Sequence, residues 1–194
     1  MNAAASPFRI DDAAALAAFA DAAIGGGLDP AVEALITRAG LLRHDTPAAL
    51  ALLEQARAAA PRHPLPLIAL YRFHFYGHEL ALARRVGEDA LALARTALGP
   101  DFGDVPPSDD DTRGNASVRF YLFLLKGLAY LNLRLGHLDE AQLMLGELRR
   151  LDPQDHIGGA LLWHVLQRSL IDDEALLAQL PADYPVRGWG GAAP

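Results

Sequence analysis

The sequence predicts an almost wholly α-helical protein. Hydrophobic residues make up 52% of the 194 positions, and aromatic residues only 7%. Alanine and leucine dominate while β-branched residues are scarce, a composition that favours helix over strand. Apolar residues also recur at helical spacing, as at Ala49, Leu53 and Ala56. A chain of this length can bury a sizeable core as one domain or one repeat array.

Charge and residue usage exclude several classes of function. The formal net charge of −7 opposes general attraction to nucleic acid or to an anionic membrane. The sequence has no cysteine, which excludes disulfides, thiol catalysis and thiolate metal sites. It also lacks a secretory signal pattern and an apolar run long enough to span a membrane. We therefore expect a cytoplasmic protein without a cofactor.

Proline and glycine divide the first half of the chain into helices. Asp29-Pro30 and Asp45-Thr46-Pro47 each place an N-cap acceptor just before a proline, which is a typical helix start. Residues 1–28 are expected to form an N-terminal helix and a Gly-rich break. The expected helices are 11–24, one from Pro30, 48–60, one over LPLIALYRFHFYGHE that breaks at Gly77, and 80–98.

The second half contains an acidic segment followed by further helices. Residues 99–115 hold paired prolines and several aspartates, so we expect a solvated acidic loop. The segment 29–180 is expected to form one array that includes this loop. The tail 181–194 is too rich in Pro and Gly for regular structure. The expected helices are 116–135, 138–151, 154–170 and 172–180.

The apolar pattern repeats with a fixed period. Ala49 and Ala83 are 34 residues apart, and so are Ala56 and Ala90. This is the period of the tetratricopeptide repeat, which the segment 30–155 resembles. In the third unit the residues at positions of that family's pattern are Leu125, Leu128, Ala129, Asn132, Ala141, Leu145 and Pro153; in the first they are Ala49, Leu53, Ala56 and Pro61.

The resemblance implies a superhelix of about three helix pairs between N- and C-terminal capping helices. In that family the first helix of each pair lines a concave groove that commonly holds a peptide or helix of another protein. We therefore expect a non-catalytic adaptor or assembly factor, chaperone-like in role, and not an enzyme. The segment LYRFHFYGHE is also similar to small bacterial tetratricopeptide proteins found beside nitrogen-fixation genes. That similarity implies an accessory role in assembling or protecting a metalloenzyme.

The first helices supply the candidate partner-binding residues. In the second unit two registers are open: the repeat step selects Ile68, Arg72, Phe75 and Tyr76, whereas the glycine break selects Leu67, Tyr71, His74 and Phe75. Aromatic and Arg residues are over-represented among binding hot spots, so we expect a partner segment that is acidic or amphipathic. The predicted partner-binding residues are Arg72, Phe75, Tyr76, Phe123, Lys126, Tyr130 and Arg134, with Leu133 beside them.

Two alternatives remain open. His74 and His78 are four residues apart and Glu79 adjoins them, which could indicate a His-dependent metal protein or hydrolase. The glutamate follows the second histidine, so it cannot lie between the two ligands as in HExxH. Alternatively, Trp189 of the tail could occupy the groove of its own chain or of a second copy.

Overall fold

The computed structural model describes residues 27–42 and 44–179, and side chains no further than Ile171. The predicted N-terminal helix 11–24 and the tail 181–194 lie outside the described residues. Within the described ranges the fold is all-α, with eight helices and no strand beyond one isolated bridge. The helices are α1 Pro30–Leu41, α2 Thr46–Ala59, α3 Pro64–Tyr76, α4 Leu80–Leu98, α5 Asp109–Gly114, α6 Ala116–Leu135, α7 Leu138–Leu151 and α8 Ala160–Gln179.

Local signals account for several helix ends. The carboxylates of Asp29 and Asp45 accept backbone N–H bonds at the starts of α1 and α2. Asn115 does the same for α6. Gly136 ends α6 in the left-handed conformation, with φ of 79°, which glycine adopts without steric cost.

The helices pack in chain order. Three hairpins form, from α1 with α2, α3 with α4 and α6 with α7. The second helix of each hairpin also packs against a later helix: α2 against α3, α4 against α6, and α7 against α8. The helix α6 lies at the centre, in contact with α4, α5, α7 and α8. A Cβ on Gly87 of α4 would lie 2.8 Å from Leu128 Cδ2 and 3.2 Å from Tyr71 Cε2. The absence of a side chain at Gly87 therefore lets α4 approach α3 and α6 closely.

The acidic segment is more ordered than the predicted loop. It contains α5, whose first turn is capped by the Ser108 hydroxyl. Thr112 of α5 is buried, and the Phe102 ring lies edge-on to Tyr121 of α6, with 5.3 Å between centroids. Phe102 thus packs on α6, while Val105 and most aspartates of the segment stay exposed.

The C-terminal helices also differ from the prediction. Two helices, 154–170 and 172–180, are expected, but residues 152–159 form turns and a single helix α8 follows. Asp155 has a φ of +56°, and its carboxylate accepts the backbone N–H groups of Gly159 and Ala160. This cap starts the helix six residues later than predicted.

Length and hydropathy decide whether a helix can span a membrane. Among the helices in the described part of the chain, none is long and apolar enough to cross a membrane.

Candidate functional site

An accessible aromatic cluster joins α3 to α6; we define it as Phe75, Tyr76, Tyr130 and Arg134. The centroids of Phe75 and Tyr130 are 5.9 Å apart, and Tyr76 lies edge-on to Phe75 at 5.5 Å. The Arg134 guanidinium lies 5.7 Å from the Tyr130 centroid and donates a 2.7 Å hydrogen bond to its hydroxyl. Rings and a cation are therefore available together for a partner's side chains.

Burial distinguishes the two registers of α3. Leu67, Tyr71 and His74, which the glycine break selects, are 1–5% exposed and belong to the core. Burial also raises the pKa of the Tyr71 hydroxyl. Of the residues that the repeat step selects, Arg72 and Tyr76 are exposed, Phe75 is half-buried and Ile68 is buried. The two exposed residues of α3, Arg72 and Tyr76, thus both belong to the repeat-step register.

Phe123 and Lys126 lie further toward α8 and are engaged within the chain. The Phe123 ring has the Arg119 guanidinium 5.4 Å away and the Lys126 ammonium 5.5 Å away. Lys126 Nζ also donates a 2.6 Å hydrogen bond to the Ile157 carbonyl in the turn before α8. Burial lowers the pKa of Lys126, opposed by the nearby Asp155 carboxylate. Lys126 therefore joins α6 to this turn, and Leu133 packs against the core.

Two of the first helices, α3 and α6, differ in charge from the rest of the chain. Neither contains an Asp or Glu residue, whereas α1 contains Glu33 and α8 contains acidic residues after Ile171. The cations on α3 and α6 are Arg72, Arg119, Lys126 and Arg134. The acidic residues of α4 and α7 include Glu88 and Glu147, which pair with arginines of their own helices. In a chain of net charge −7, α3 and α6 are locally basic.

Among these cations, Arg72 and Arg134 are both exposed. Within the described residues, Arg72 makes no hydrogen bond or ion pair, and Arg134 contacts Tyr130. Carboxylates of a partner could therefore reach both guanidinium groups without displacing an acidic residue of this chain.

The histidine pair does not form a helical i, i+4 site. α3 ends at Tyr76, and His78 lies in the turn beyond it with a φ of +60°. His74 Nδ1 lies 2.6 Å from a carboxylate oxygen of Glu79, so the buried imidazole is already paired. In the part of the chain that is described, no group of three or more His, Asp or Glu side chains is arranged to hold a metal ion.

Sequence reasoning missed a polar cluster at the turn before α8. The buried carboxylate of Asp152 accepts the backbone N–H groups of His156 and Ile157 at 3.0 and 2.8 Å. It also lies 3.1 Å from His156 Nδ1, while Arg113 of α5 donates to His156 Nε2 at 2.9 Å. The donor on Arg113 identifies Nε2 as the acceptor, so Nδ1 carries the proton toward Asp152. Asp152 and Pro153, which directly precede the predicted helix 154–170, thus belong to a turn.

Comparison with known proteins gives one bacterial relative. The chain is 38% identical over 121 residues to an "Uncharacterized 19.8 kDa protein in nifW 5'region" of Azotobacter chroococcum mcd 1. The aligned residues cover 59% of this chain and 67% of the relative. No family model and no solved structure matches the chain.

Proposed function

We propose that this chain, which belongs to the same family as the uncharacterized 19.8 kDa protein from the nifW 5′ region of Azotobacter chroococcum, is a non-catalytic protein-binding module. Its first helices hold an acidic segment of a partner protein. The segment lies along α3 and α6, and the aromatic cluster contacts its apolar side chains.

The observation that carries this proposal is the charge of α3 and α6. Arg72 and Arg134 flank an aromatic surface on helices that contain no acidic residue. A negatively charged partner would be repelled by the acidic remainder of this chain and attracted to the cations of α3 and α6. Because the guanidinium groups are exposed, an acidic partner segment can pair with them at little desolvation cost.

The aromatic cluster supplies the apolar part of the contact. Phe75 stacks on the core residue Tyr71 with 6.0 Å between centroids, so its ring is held in place before a partner arrives. Tyr76 is 57% exposed on the same helix turn. Rigid, partly exposed rings lose little side-chain entropy on binding, and residues of this kind often dominate binding energy.

The repeat pattern supports a tetratricopeptide-like superhelix as the scaffold. Five pairs of residues one 34-residue step apart are buried at both positions, and α8 extends the pattern as a further first helix. The buried pairs are Ala49 with Ala83, Ala56 with Ala90, Leu125 with Gly159, Leu128 with Leu162, and Asn132 with Leu166.

We further propose that the partner is a protein produced with the nitrogen-fixation genes. The relative's name places its gene next to nifW. An adaptor made together with a metalloenzyme would bind that enzyme or one of its maturation factors during assembly.

A paired capture experiment tests the proposed function. The native chain, a Tyr130→Ala/Arg134→Ala variant and a Leu143→Ala control are used as baits in cells grown under nitrogen-fixing conditions. Leu143 is 75% exposed on α7, so the control removes an accessible side chain away from the first helices. We expect the native and control baits to retain the same protein and the double variant to lose it.

The readout must separate binding from folding. Far-UV circular dichroism should be the same for all three baits, because Arg134 is exposed and Tyr130 is only half-buried. Equal capture by the double variant and the native chain would reject this surface as the binding site.

A further inference from the structure

The last described helix has an uncovered apolar face. Leu161, Val165 and Ile171 of α8 are 71%, 45% and 62% exposed. The opposite side of α8 packs into the core through Leu162 and Leu166. Leu161 and Val165 lie one turn apart, and the exposed Arg168 lies between them and Ile171. Contiguous exposed apolar residues mark contact surfaces. We call these three residues the α8 face.

Two of the three positions one repeat step earlier are covered, and the third, His137, is exposed beyond the end of α6. One 34-residue step before Leu161 and Val165 are Gly127 and Leu131, and both are buried. In α6 the following hairpin partner α7 and the next helix α8 pack alongside. In a longer array, a further helix would pack on the α8 face. The end of a stacked array needs a capping segment that covers such apolar residues.

We propose that the C-terminal segment 181–194 lies along the α8 face, with Trp189 as its anchor. The segment follows α8 directly and contains three large apolar residues, Tyr184, Val186 and Trp189. Its two charged residues, Asp183 and Arg187, cancel, which suits an apolar surface. This inference does not depend on the proposed binding of a partner by α3 and α6.

The chain length allows this contact. From the end of α8 at Gln179 back to Val165 is about 21 Å along the helix axis. Ten residues separate Gln179 from Trp189, and in extended form they span at most about 33–36 Å. The segment can therefore reverse direction and still bring Trp189 to the α8 face. Its prolines and glycines favour an extended path over another helix.

Tryptophan fluorescence of the full chain tests this proposal. The chain contains two tryptophans, so a Trp163→Phe variant leaves Trp189 as the sole indole reporter. We expect its emission maximum to lie well to the blue of the urea-unfolded chain and acrylamide quenching to be weak. Adding Leu161→Gln and Val165→Gln should shift the emission to the red and strengthen quenching toward the unfolded value.

A matched control uses a different exposed leucine. Leu143→Gln on α7 should leave the Trp189 emission unchanged. The native chain and a Trp189→Phe variant give the Trp189 signal by difference, so the test does not depend on tolerance of the Trp163 substitution. Circular dichroism checks that each variant is folded.

Three results would overturn the proposal. The first is a Trp189 emission in the folded chain equal to that in urea. The second is a blue-shifted emission that the α8-face substitutions do not alter. The third is an emission that moves to the red on dilution, which would indicate a second copy as the occupant.

Discussion

The contacts of α6 with α3 and with α8 are built from different chemistry. The helix meets α3 through an aromatic contact, Phe75 with Tyr130. It meets the turn before α8 through a polar contact, in which Lys126 donates to the Ile157 carbonyl. Within that turn, Asp152 accepts the Ile157 N–H. Two cations of one helix therefore have different roles: Lys126 is used for structure, whereas Arg134 stays available. The comparison predicts that the polar contact governs stability and the aromatic contact governs binding.

The largest effect on stability is expected from Asp152→Ala. The substitution leaves two backbone N–H groups without their acceptor, one of them buried. Hydrogen bonds to charged groups contribute about 1.5–3 kcal/mol each, so the free energy of unfolding should fall by about 2–3 kcal/mol. Urea unfolding measures this loss. Asp152→Asn keeps one acceptor and should lose less; a loss no larger than that of Arg134→Ala would contradict the assignment.

A smaller loss is expected from Gly159→Ala, beside the polar contact. Its Cβ would lie 2.5 Å from Leu148 Cδ2, and Leu148 is buried. Overpacking of this kind costs about 1–3 kcal/mol. The matched control is Gly146→Ala in α7, where nothing lies within 4 Å, and helix propensity should raise stability by about 0.5–1 kcal/mol. Thermal unfolding of both variants should show shifts of opposite sign; equal shifts would refute the close contact.

A pH-dependent difference is expected from Lys126→Met. Burial lowers the pKa of Lys126 in the folded chain below the ordinary value of 10.5, so the unfolded chain binds the proton more tightly. As pH rises from the folded pKa to 10.5, the native chain should gain stability relative to Lys126→Met.

Urea midpoints of the two proteins across the alkaline range measure this difference. The raised pKa values of Tyr71 and Tyr121 affect both proteins alike and cancel in the comparison. A difference that does not change with pH would argue against burial of the Lys126 ammonium.

The smallest effect on stability is expected from Arg134→Ala. The side chain is exposed, and its hydrogen bond and cation–π contact are both with Tyr130, so the free energy of unfolding should change by no more than about 0.5 kcal/mol. Binding should weaken instead, and the remaining affinity should depend less on salt, because one of the exposed cations is gone. Isothermal titration with the captured partner at two ionic strengths checks this; an unchanged salt dependence would place Arg134 outside the contact.

Helix class and most helix bounds could be predicted because they depend on local signals. Apolar spacing and caps gave α4, α6 and α7 with the observed bounds. The late start of α8 could not be predicted, because it depends on the positive φ of Asp155 and its capping bonds. The order within 99–115 was also missed, since its few apolar residues, such as Phe102, are stabilised by tertiary contact with α6.

Part of the candidate site could likewise be predicted from the sequence, and part could not. The repeat period indicated that Phe75 and Tyr130 lie on first helices, and their rings do approach each other. The engagement of Lys126 depends on the path of a turn 31 residues later in the chain. No pattern within α6 distinguishes Lys126 from Arg134, because both are cations on the same helix.

Gly87 of α4 influences the geometry of the aromatic cluster, although that cluster lies on α3 and α6. This residue is in near contact with Tyr71 of α3 and Leu128 of α6. Tyr71 in turn supports Phe75, and Leu128 lies two residues before Tyr130. The separation of the Phe75 and Tyr130 rings therefore depends on the absence of a side chain at Gly87, on a third helix. A larger side chain at Gly87 would displace Tyr71 and Leu128. It would thereby increase the distance between the Phe75 and Tyr130 rings without contacting either one.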